Sequence, residues 1–363
     1  MGNDHAIGER KAQHLDICSD PDRYDVEGGT TMLDEVRFVH RALPELNHPE
    51  LDLTTEFLGS AISMPLFISS MTGGSAEGYR VNKILARIAQ DARIPVGMGS
   101  IRILLTRPEV IDHFMLKRIA PDVPVFANIG GAQLIDPDSG ELVELIRRLE
   151  VDAVAVHLNA GQELVQPEGD RSFRGVLDGI GRFCEDSPVP VIVKETGFGI
   201  GPREARLLVE CGATLVDVAG SGGTNWVTVE RHRMDRGEQA VAAELADWGI
   251  PTGVAVAANR ALIGRILASG GLRTGMDVAK SIALGAVAAG LALPFVRAVV
   301  AGGFDAGLEV AERIRQVLRA VMTLTASPTV AALRTAAVTT SASFLEMTRQ
   351  LEETDRGGAH GSV

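Results

Sequence analysis

The stretch VDAVAVHLNAGQELVQPEGDRSF, residues 151–173, decides how the chain is read. It opens with an apolar, largely β-branched run over residues 151–156, interrupted only by Asp152. Such a run suits a strand buried on both faces. Polar chemistry then follows at once, with His157, Asn159, Gln162, Glu163, Gln166, Glu168, Asp170 and Arg171 close together. Pro167 and Gly169 exclude a regular helix across the end of this loop. A buried strand ending in a dense polar loop is where α/β enzymes keep their active sites. A solvated turn has the same local composition, so the flanking units have to discriminate.

Outward from this stretch, strand-loop-helix units repeat on both sides. Before it stand PLFISSM (65–71) with a helical pattern over 76–92, PVGMGS (95–100) with a helix near 108–119, and PVFANIGG (124–131) with a helix over 140–149. After it come PVIVKETGFGIG (190–201), whose helix opens at Pro202 as a first turn allows, and TLVDVAGSGGTNW (214–226). A less regular insertion runs through Arg231, His232 and Arg233 to helices before Trp248 and around 252–259. GRILASGGLR (264–273) is then the seventh strand with its loop, 276–284 its helix, and AVAAGLALPF (286–295) the eighth strand. Eight strands alternating with helices predict an α/β fold, a (β/α)₈ TIM barrel. An N-terminal extension precedes it, with a strand expected over 31–43. Extra C-terminal helices follow, one over 308–324, before a tail from residue 355 that reads as disordered.

Composition agrees with that architecture. The 363 residues are 45% hydrophobic, 23% charged and only 4% aromatic, with 40 glycines. Aliphatic cores with glycine at loop ends suit parallel strands covered on both faces. A net charge of −12 and the lack of a basic stripe argue against a nucleic-acid partner. Three cysteines without CxxC spacing indicate neither a disulfide framework nor a zinc site and point to a reducing cytoplasm. No signal peptide or membrane-spanning helix is expected, because the apolar stretch over 283–301 carries glycine, Pro294 and Arg297.

In a barrel every strand's C-terminal end faces one mouth. That mouth collects Thr72, Gly73, Ser100, Arg102, Asn128, His157, Asn159, Gln162, Glu163, Lys194, Glu195 and Thr224. Core polar residues would fall anywhere along a strand, whereas these gather at one end, and the concentration marks an enzyme. Glycine runs at 220–224, 269–271 and near 290 offer unobstructed backbone N–H groups after the last three strands, a phosphate cradle in many barrels. No GxGxxG follows the first strand, which disfavours a Rossmann dinucleotide fold. Lys194 closes an apolar strand and is suited either to a Schiff base or to lying against an electron-rich cofactor ring. Adjacent strand residues point to opposite faces, so Glu195 does not share its route into the mouth. RKAQH (10–14) places cations on one short helix face, a pattern that is usually solvated when alone.

Together the motifs ERKAQH (9–14), SMTGG (70–74), FANIG (126–130), HLNAGQE with PEGDRSF (157–173), VIVKETGFG (191–199), GSGGTNW (220–226) and ASGGLR with DVAKSIALGA (268–286) resemble the type 2 isopentenyl diphosphate isomerase family. The resemblance spans residues 9 to about 300, with HLNxxQE and PEGDRSF its most specific parts. It implies an FMN-dependent barrel that interconverts isopentenyl and dimethylallyl diphosphate. By position it implies diphosphate contacts at Arg10 and Lys11 on a lid, with Ser100 and Arg102 beside the substrate. Ser70, Met71, Thr72, Ser100, Asn128, Lys194 and Thr224 match flavin contacts, and Gly270, Gly271, Arg273, Ala292 and Leu293 surround its phosphate. Gln162 matches the substrate glutamine and Glu163 the Mg²⁺ ligand, while His157 and Asn159 line the reacting end. The implied organisation is a substrate lid over 1–57, an FMN-binding barrel over 58–320 and a helical segment with a flexible tail over 321–363. A homotetramer or homo-octamer is the family habit, and NADPH the expected reductant, although no sequence motif announces it.

The chemistry fits these residue types. Moving the double bond means protonating a terminal alkene carbon and removing a proton two carbons away, through a cation-like state that water would trap. No carboxylate pair stands out for that task, so the resemblance places the acid and base on reduced FMN. Two departures from the family pattern occur, Ile101 in place of a glutamine and Ala160-Gly161 in place of an aliphatic pair, which reads as a smaller and looser link. Competing readings are a 2-hydroxy acid oxidase, which needs a histidine base and an arginine pair for a carboxylate, and a silent flavin-binding protein. RKAQH and HLNAGQE disfavour the first, and the presence of Gln162, Glu163, Lys194, Arg10 and Lys11 disfavours the second.

Overall fold

The structure, a computed structural model, describes residues 2–71, 75–136, 140–167 and 169–357. Eight short strands carry it: β1 Leu66–Ile68, β2 Val96–Ser100, β3 Val125–Gly130, β4 Ala153–Leu158, β5 Val191–Glu195, β6 Leu215–Asp217, β7 Ile266–Leu267 and β8 Ala289–Leu291. All pair in parallel, in the order β7-β6-β5-β4-β3-β2-β1-β8. The Ala268 N–H donates to Ala288 O at 3.0 Å and the Gly290 N–H to Ala268 O at 2.7 Å, which joins β7 to β8. The sheet is thereby closed into the barrel that the repeat predicts.

Helices wrap this ring: α1 Gly2–Ser19, α2 Ala76–Ala92, α3 Gly140–Leu149, α4 Ala160–Val165, α5 Val176–Asp186, α6 Pro202–Glu210, α7 Trp226–Arg231, α8 Arg236–Glu244, α9 Thr252–Ala258, α10 Gly275–Leu284, α11 Leu293–Leu324, α12 Val330–Arg334 and α13 Ala342–Gly357. Local signals start them. Ser75 Oγ accepts the Gly78 N–H ahead of α2, and Thr274 with Asp277 forms a reciprocal capping box on α10. Along α2 the buried residues Val81, Leu85, Ile88, Ala89 and Ala92 form one stripe against the sheet. No helix among the described residues is long and apolar enough to cross a membrane.

Some elements differ from the sequence reading. The helix expected over 108–119 is instead the 3₁₀ turns Pro108–His113 and Leu116–Arg118. Pro108–His113 has no fully buried residue, only Val110 and Ile111 packed partly buried against the core, and its backbone leaves helical geometry at Val110. The strand expected over 31–43 is shorter, Val36–Phe38, and pairs antiparallel with Val338–Thr340 near the other end of the chain. Residues 308–324 are the second half of α11, which starts at Leu293, breaks at Gly303 with φ +71, and runs to Leu324. The tail read as disordered is helical to Gly357, and 358–363 lie outside the described residues.

Inside the barrel, side chains alternate along each strand and so stack in layers. The lower layer is apolar: Phe67, Phe126, Ala153, Ala155, Ile192, Leu215, Leu267 and Ala288 form one cluster. The hairpin Thr55–Phe57/Ser60–Ile62 adds Phe57, whose ring centroid lies 5.8 Å from Phe67 and 6.4 Å from Phe126. This aromatic floor closes the bottom of the barrel. Two residues further along several strands, on the same inward face, the layer turns polar: Asn128, His157, Lys194, Asp217 and Ser269.

Candidate active site

The polar layer is the base of a cleft at the C-terminal mouth. Lys194 is buried and sits in register with His157 on β4 and Asp217 on β6. Asp217 is buried, with Ser269 Oγ 2.8 Å from each of its oxygens so that the one hydroxyl proton is shared between them, while burial pushes its carboxyl upward against the opposing charge of Lys194. His157 Nδ1 lies 2.9 Å from Asn128 Oδ1. Burial, then the positive charges of Lys194, Lys11 and Arg102, lowers its pKa to about 3, so the imidazole is neutral across the physiological range. Glu195, one residue on, points away and does not line the cleft.

One end of the cleft is built from side chains. α1 lies across the mouth, where Lys11 Nζ donates to Ser100 O at 3.1 Å and the Arg10 Nε is buried without a partner among the described residues. Burial first, then Arg10 and Arg102, lowers Lys11 to about 8. Cations gathered this closely repel one another until an anion arrives. From the opposite wall α4 presents Gln162 and Glu163. Asn159 Nδ2 donates to Glu163 Oε1 at 2.9 Å and to Gln162 Oε1 at 3.3 Å, and the Asp170 N–H donates to Glu163 Oε2 at 2.7 Å. Arg171 braces the loop by donating to the carbonyls of Glu163, Gly169 and Gln166. Arg102 is half exposed, 3.9 Å from Asp170.

The other end is built from backbone. Gly270 and Gly271 have φ of +89 and +76. A Cβ would stand 2.1 Å from Gly220 O at the first and 2.4 Å from Gly222 O at the second, so only glycine lets these loops meet. Beside them α11 begins at Leu293 with no side-chain cap on Ala292, and because Ala292 and Leu293 line the cleft the uncapped N–H groups of the first turn, all but that of Pro294, which has none, are at hand there. Arg273 adds a guanidinium, held 2.7 Å from Glu27. Thr224 and Met71 line the space between, and Ser70 Oγ is buried in the cleft without a hydrogen-bond partner among the described residues. A cradle of N–H groups and one arginine, with an orphan hydroxyl above it, fits a phosphorylated cofactor such as FMN. Of the residues expected at the mouth, Ser70, Met71, Ser100, Arg102, Asn128, His157, Asn159, Gln162, Glu163, Lys194 and Thr224 line this one cleft, and Glu195, Asp170 and Arg171 do not; Thr72, Gly73 and Glu168 lie outside the described residues.

The FMN-dependent dehydrogenase family profile matches residues 21–106 and 152–340. An isopentenyl-diphosphate delta-isomerase of Borreliella afzelii is 45% identical over 335 residues, covering 92% of this chain and 94% of that protein. The chain belongs to the FMN-dependent isopentenyl-diphosphate delta-isomerase family. Relatives bearing the isomerase name in Nostoc sp. (44% identity, 80% of this chain and 84% of that one) and Methanosarcina acetivorans (41%, 80% and 81%) agree. Among solved structures, a lactate oxidase from Pediococcus acidilactici superposes with a TM-score of 0.66 at 17% identity, covering 93% of this chain and 94% of that one. A mandelate oxidase with (S)-2-phenylpropionate reaches 0.62 at 16%, covering 91% and 97%. At such identities the likeness concerns the barrel alone.

Several site residues escaped the sequence reading. Glu230 on α7 is fully buried and accepts from Gln162 Nε2 at 2.9 Å, with His14 Nε2 also 2.9 Å away and Arg233 paired to its second oxygen. Burial raises its pKa, but the hydrogen bonds and charges of His14, Gln162 and Arg233 prevail and bring it to about 2. Arg233 Nε in turn donates to Gln13 on α1 at 2.9 Å. Glu230 therefore ties α1 to Gln162 of α4. Its only sequence signal is a carboxylate three residues before an arginine on an otherwise apolar turn.

Proposed function

We propose that this cleft interconverts isopentenyl and dimethylallyl diphosphate by a 1,3-proton shift, with FMN in the glycine cradle and the diphosphate at the α1–α4 end. One observation carries the reading: a single cleft holds two anion-receiving ends, one of backbone N–H groups and Arg273, the other of Arg10 and Lys11. Reduced FMN supplies the acid and base of the shift. Arg10 and Lys11 grip the diphosphate by charge-assisted hydrogen bonds, with Ser100 and Arg102 alongside. Gln162, oriented by Glu230, and Asn159 and neutral His157 aim the hydrocarbon at the cofactor. α1, latched through His14 and Gln13, excludes the water that would trap a tertiary cation.

Glu163 would hold Mg²⁺ on the diphosphate. No cluster of three or more His, Cys, Asp or Glu suited to a metal occurs among the described residues. A single carboxylate nonetheless fits Mg²⁺, which completes its octahedron with waters and substrate oxygens. Lys194, buried beside Asp217, is suited to the flavin ring rather than to a Schiff base. The lid over 1–57, a cytoplasmic location, NADPH as reductant and a homotetramer or homo-octamer complete the proposal; light scattering at monomer mass would overturn the last.

The oxidase reading is disfavoured by His157, because an imidazole whose pKa is lowered to about 3, by burial first and then by Lys194, Lys11 and Arg102, is a poor proton acceptor. Anaerobically reduced protein supplied with Mg²⁺ is expected to convert isopentenyl diphosphate into dimethylallyl diphosphate. Absence of product from flavin-loaded protein would overturn the assignment.

A further inference from the structure

The link between Asn159 and Gln162, which the sequence suggests is loose, is filled by another segment. A Cβ on Gly161 would lie 2.1 Å from Cε2, 2.8 Å from Cδ2 and 3.2 Å from Cζ of Phe198. The ring thus occupies the space where any other residue would begin its side chain. Phe198 belongs to the loop after β5, and that loop is held by Glu195. The Glu195 Oε2 accepts the backbone N–H groups of Thr196 and Gly197 at 2.6 Å each, of Phe198, and of Gly199 at 3.3 Å. These donors offset the burial of the carboxylate and fix the loop backbone. The Phe198 carbonyl is also pinned, accepting the Ile250 N–H at 2.8 Å, and a Cβ on Gly249 would stand 2.9 Å from its Cα. Around the ring, Val165 of α4, Val227 of α7 and Ala242 of α8 pack as one cluster. The ring therefore has little freedom to yield.

We propose that Gly161 and Phe198 form a matched gap and wedge that sets where Gln162 and Glu163 stand, with Glu195 as the residue holding the wedge. All three are positioning residues, since none is required to touch the substrate. The argument is geometric. α4 is six residues long, under two turns, and its own hydrogen bonds do little to fix it. Its docking depth over the cleft is set by what lies beneath residue 161. Adding one methyl there displaces the following two side chains relative to α1, and displacements of this order separate a productive site from a poor one.

This inference rests on the proposed isomerase reading, and its test separates the two. Full-length, flavin-loaded wild type, Gly161→Ala, Phe198→Leu and the double variant are compared with isopentenyl diphosphate over a range of Mg²⁺. Gly161→Ala is expected to lose about tenfold in kcat/KM, mostly in KM, and to need more Mg²⁺ for half-maximal rate, with flavin content unchanged. The smaller side chain in Gly161→Ala/Phe198→Leu should restore much of that loss, a rescue that general destabilisation would not produce. Glu195→Gln is expected to act in the same direction as Phe198→Leu alone, raising KM a few-fold. Should Gly161→Ala fail to fold, that few-fold rise in Phe198→Leu decides the matter, and its absence overturns the pairing. Wild-type KM and Mg²⁺ dependence in Gly161→Ala, or a loss undiminished in the double variant, also overturns it. If wild type itself gives no product, the assigned reaction falls. Calorimetric binding of magnesium pyrophosphate to the same variants then judges the pairing, with weakened and rescued affinity supporting it and equal affinity contradicting it.

Discussion

The two ends of the cleft are made in opposite ways. At the cradle, Gly270, Gly271 and the start of α11 present main-chain donors whose positions follow from strand ends and φ angles. At the α1–α4 end nearly everything is side chain, joined across long stretches of sequence: Lys11 to Ser100, Gln162 to Glu230, Arg233 to Gln13. A backbone cradle is preorganised once the barrel closes, while a side-chain site needs a separate support for each group. In the function proposed above, the rigid end would bind the constant part, the cofactor, and the end that a helix covers would grip and release the changing part, the substrate.

This contrast sorts the expected effects of mutation. Glu163→Ala strikes the side-chain end and should reduce kcat/KM for isopentenyl diphosphate by about 10²- to 10³-fold, with flavin content as in wild type; unaltered turnover would remove the metal assignment. Arg273→Gln strikes the cradle and should weaken FMN binding by about 10- to 100-fold, the range for a hydrogen bond to a charged group. The KM for the diphosphate should stay level once flavin saturates. A rise in that KM without loss of flavin affinity would erase the distinction between the ends.

The pH response sharpens the same comparison. Lys11, lowered to about 8 by burial and by Arg10 and Arg102, loses its charge above that pH in the free protein. kcat/KM should therefore fall about tenfold per pH unit on the alkaline side. Lys11→Arg, charged throughout, should move that limb out of range. Stability runs the other way. Between about 8 and the ordinary lysine value of 10.5 the unfolded chain binds the proton that the folded chain has released, so folding becomes more favourable as pH rises through this window. An alkaline limb that survives in Lys11→Arg would show that another group titrates.

The same division explains what was readable in the sequence. The barrel was legible because apolar runs ending in glycine and polar residues recur, down to β7, where only Ile266 and Leu267 form the strand. Asn128, His157 and Lys194 were legible because each follows an apolar inward position by two residues. Residues 108–119 misled because an apolar pattern does not show whether residues such as Phe114 and Leu116 are buried from one continuous helix or, as here, from two short 3₁₀ turns and their connection. Glu230, His14 and Phe198 were hidden for a related reason. Their roles exist only after α7, α1 and the β5 loop are brought against α4, and no local period encodes that meeting. Gly161 is the sharpest case, since what looked like looseness is a space shaped for a ring from thirty-odd residues away.

The central claim is that protons move in this cleft while the flavin returns to its starting redox state. Anaerobically reduced, Mg²⁺-supplied protein should be mixed with isopentenyl diphosphate in D₂O, with the product analysed by mass spectrometry and the flavin followed by absorbance. The account predicts dimethylallyl diphosphate carrying solvent deuterium in a methyl group and a flavin spectrum that is the same before and after turnover. Unlabelled product, or flavin oxidised in step with substrate consumed, would contradict it.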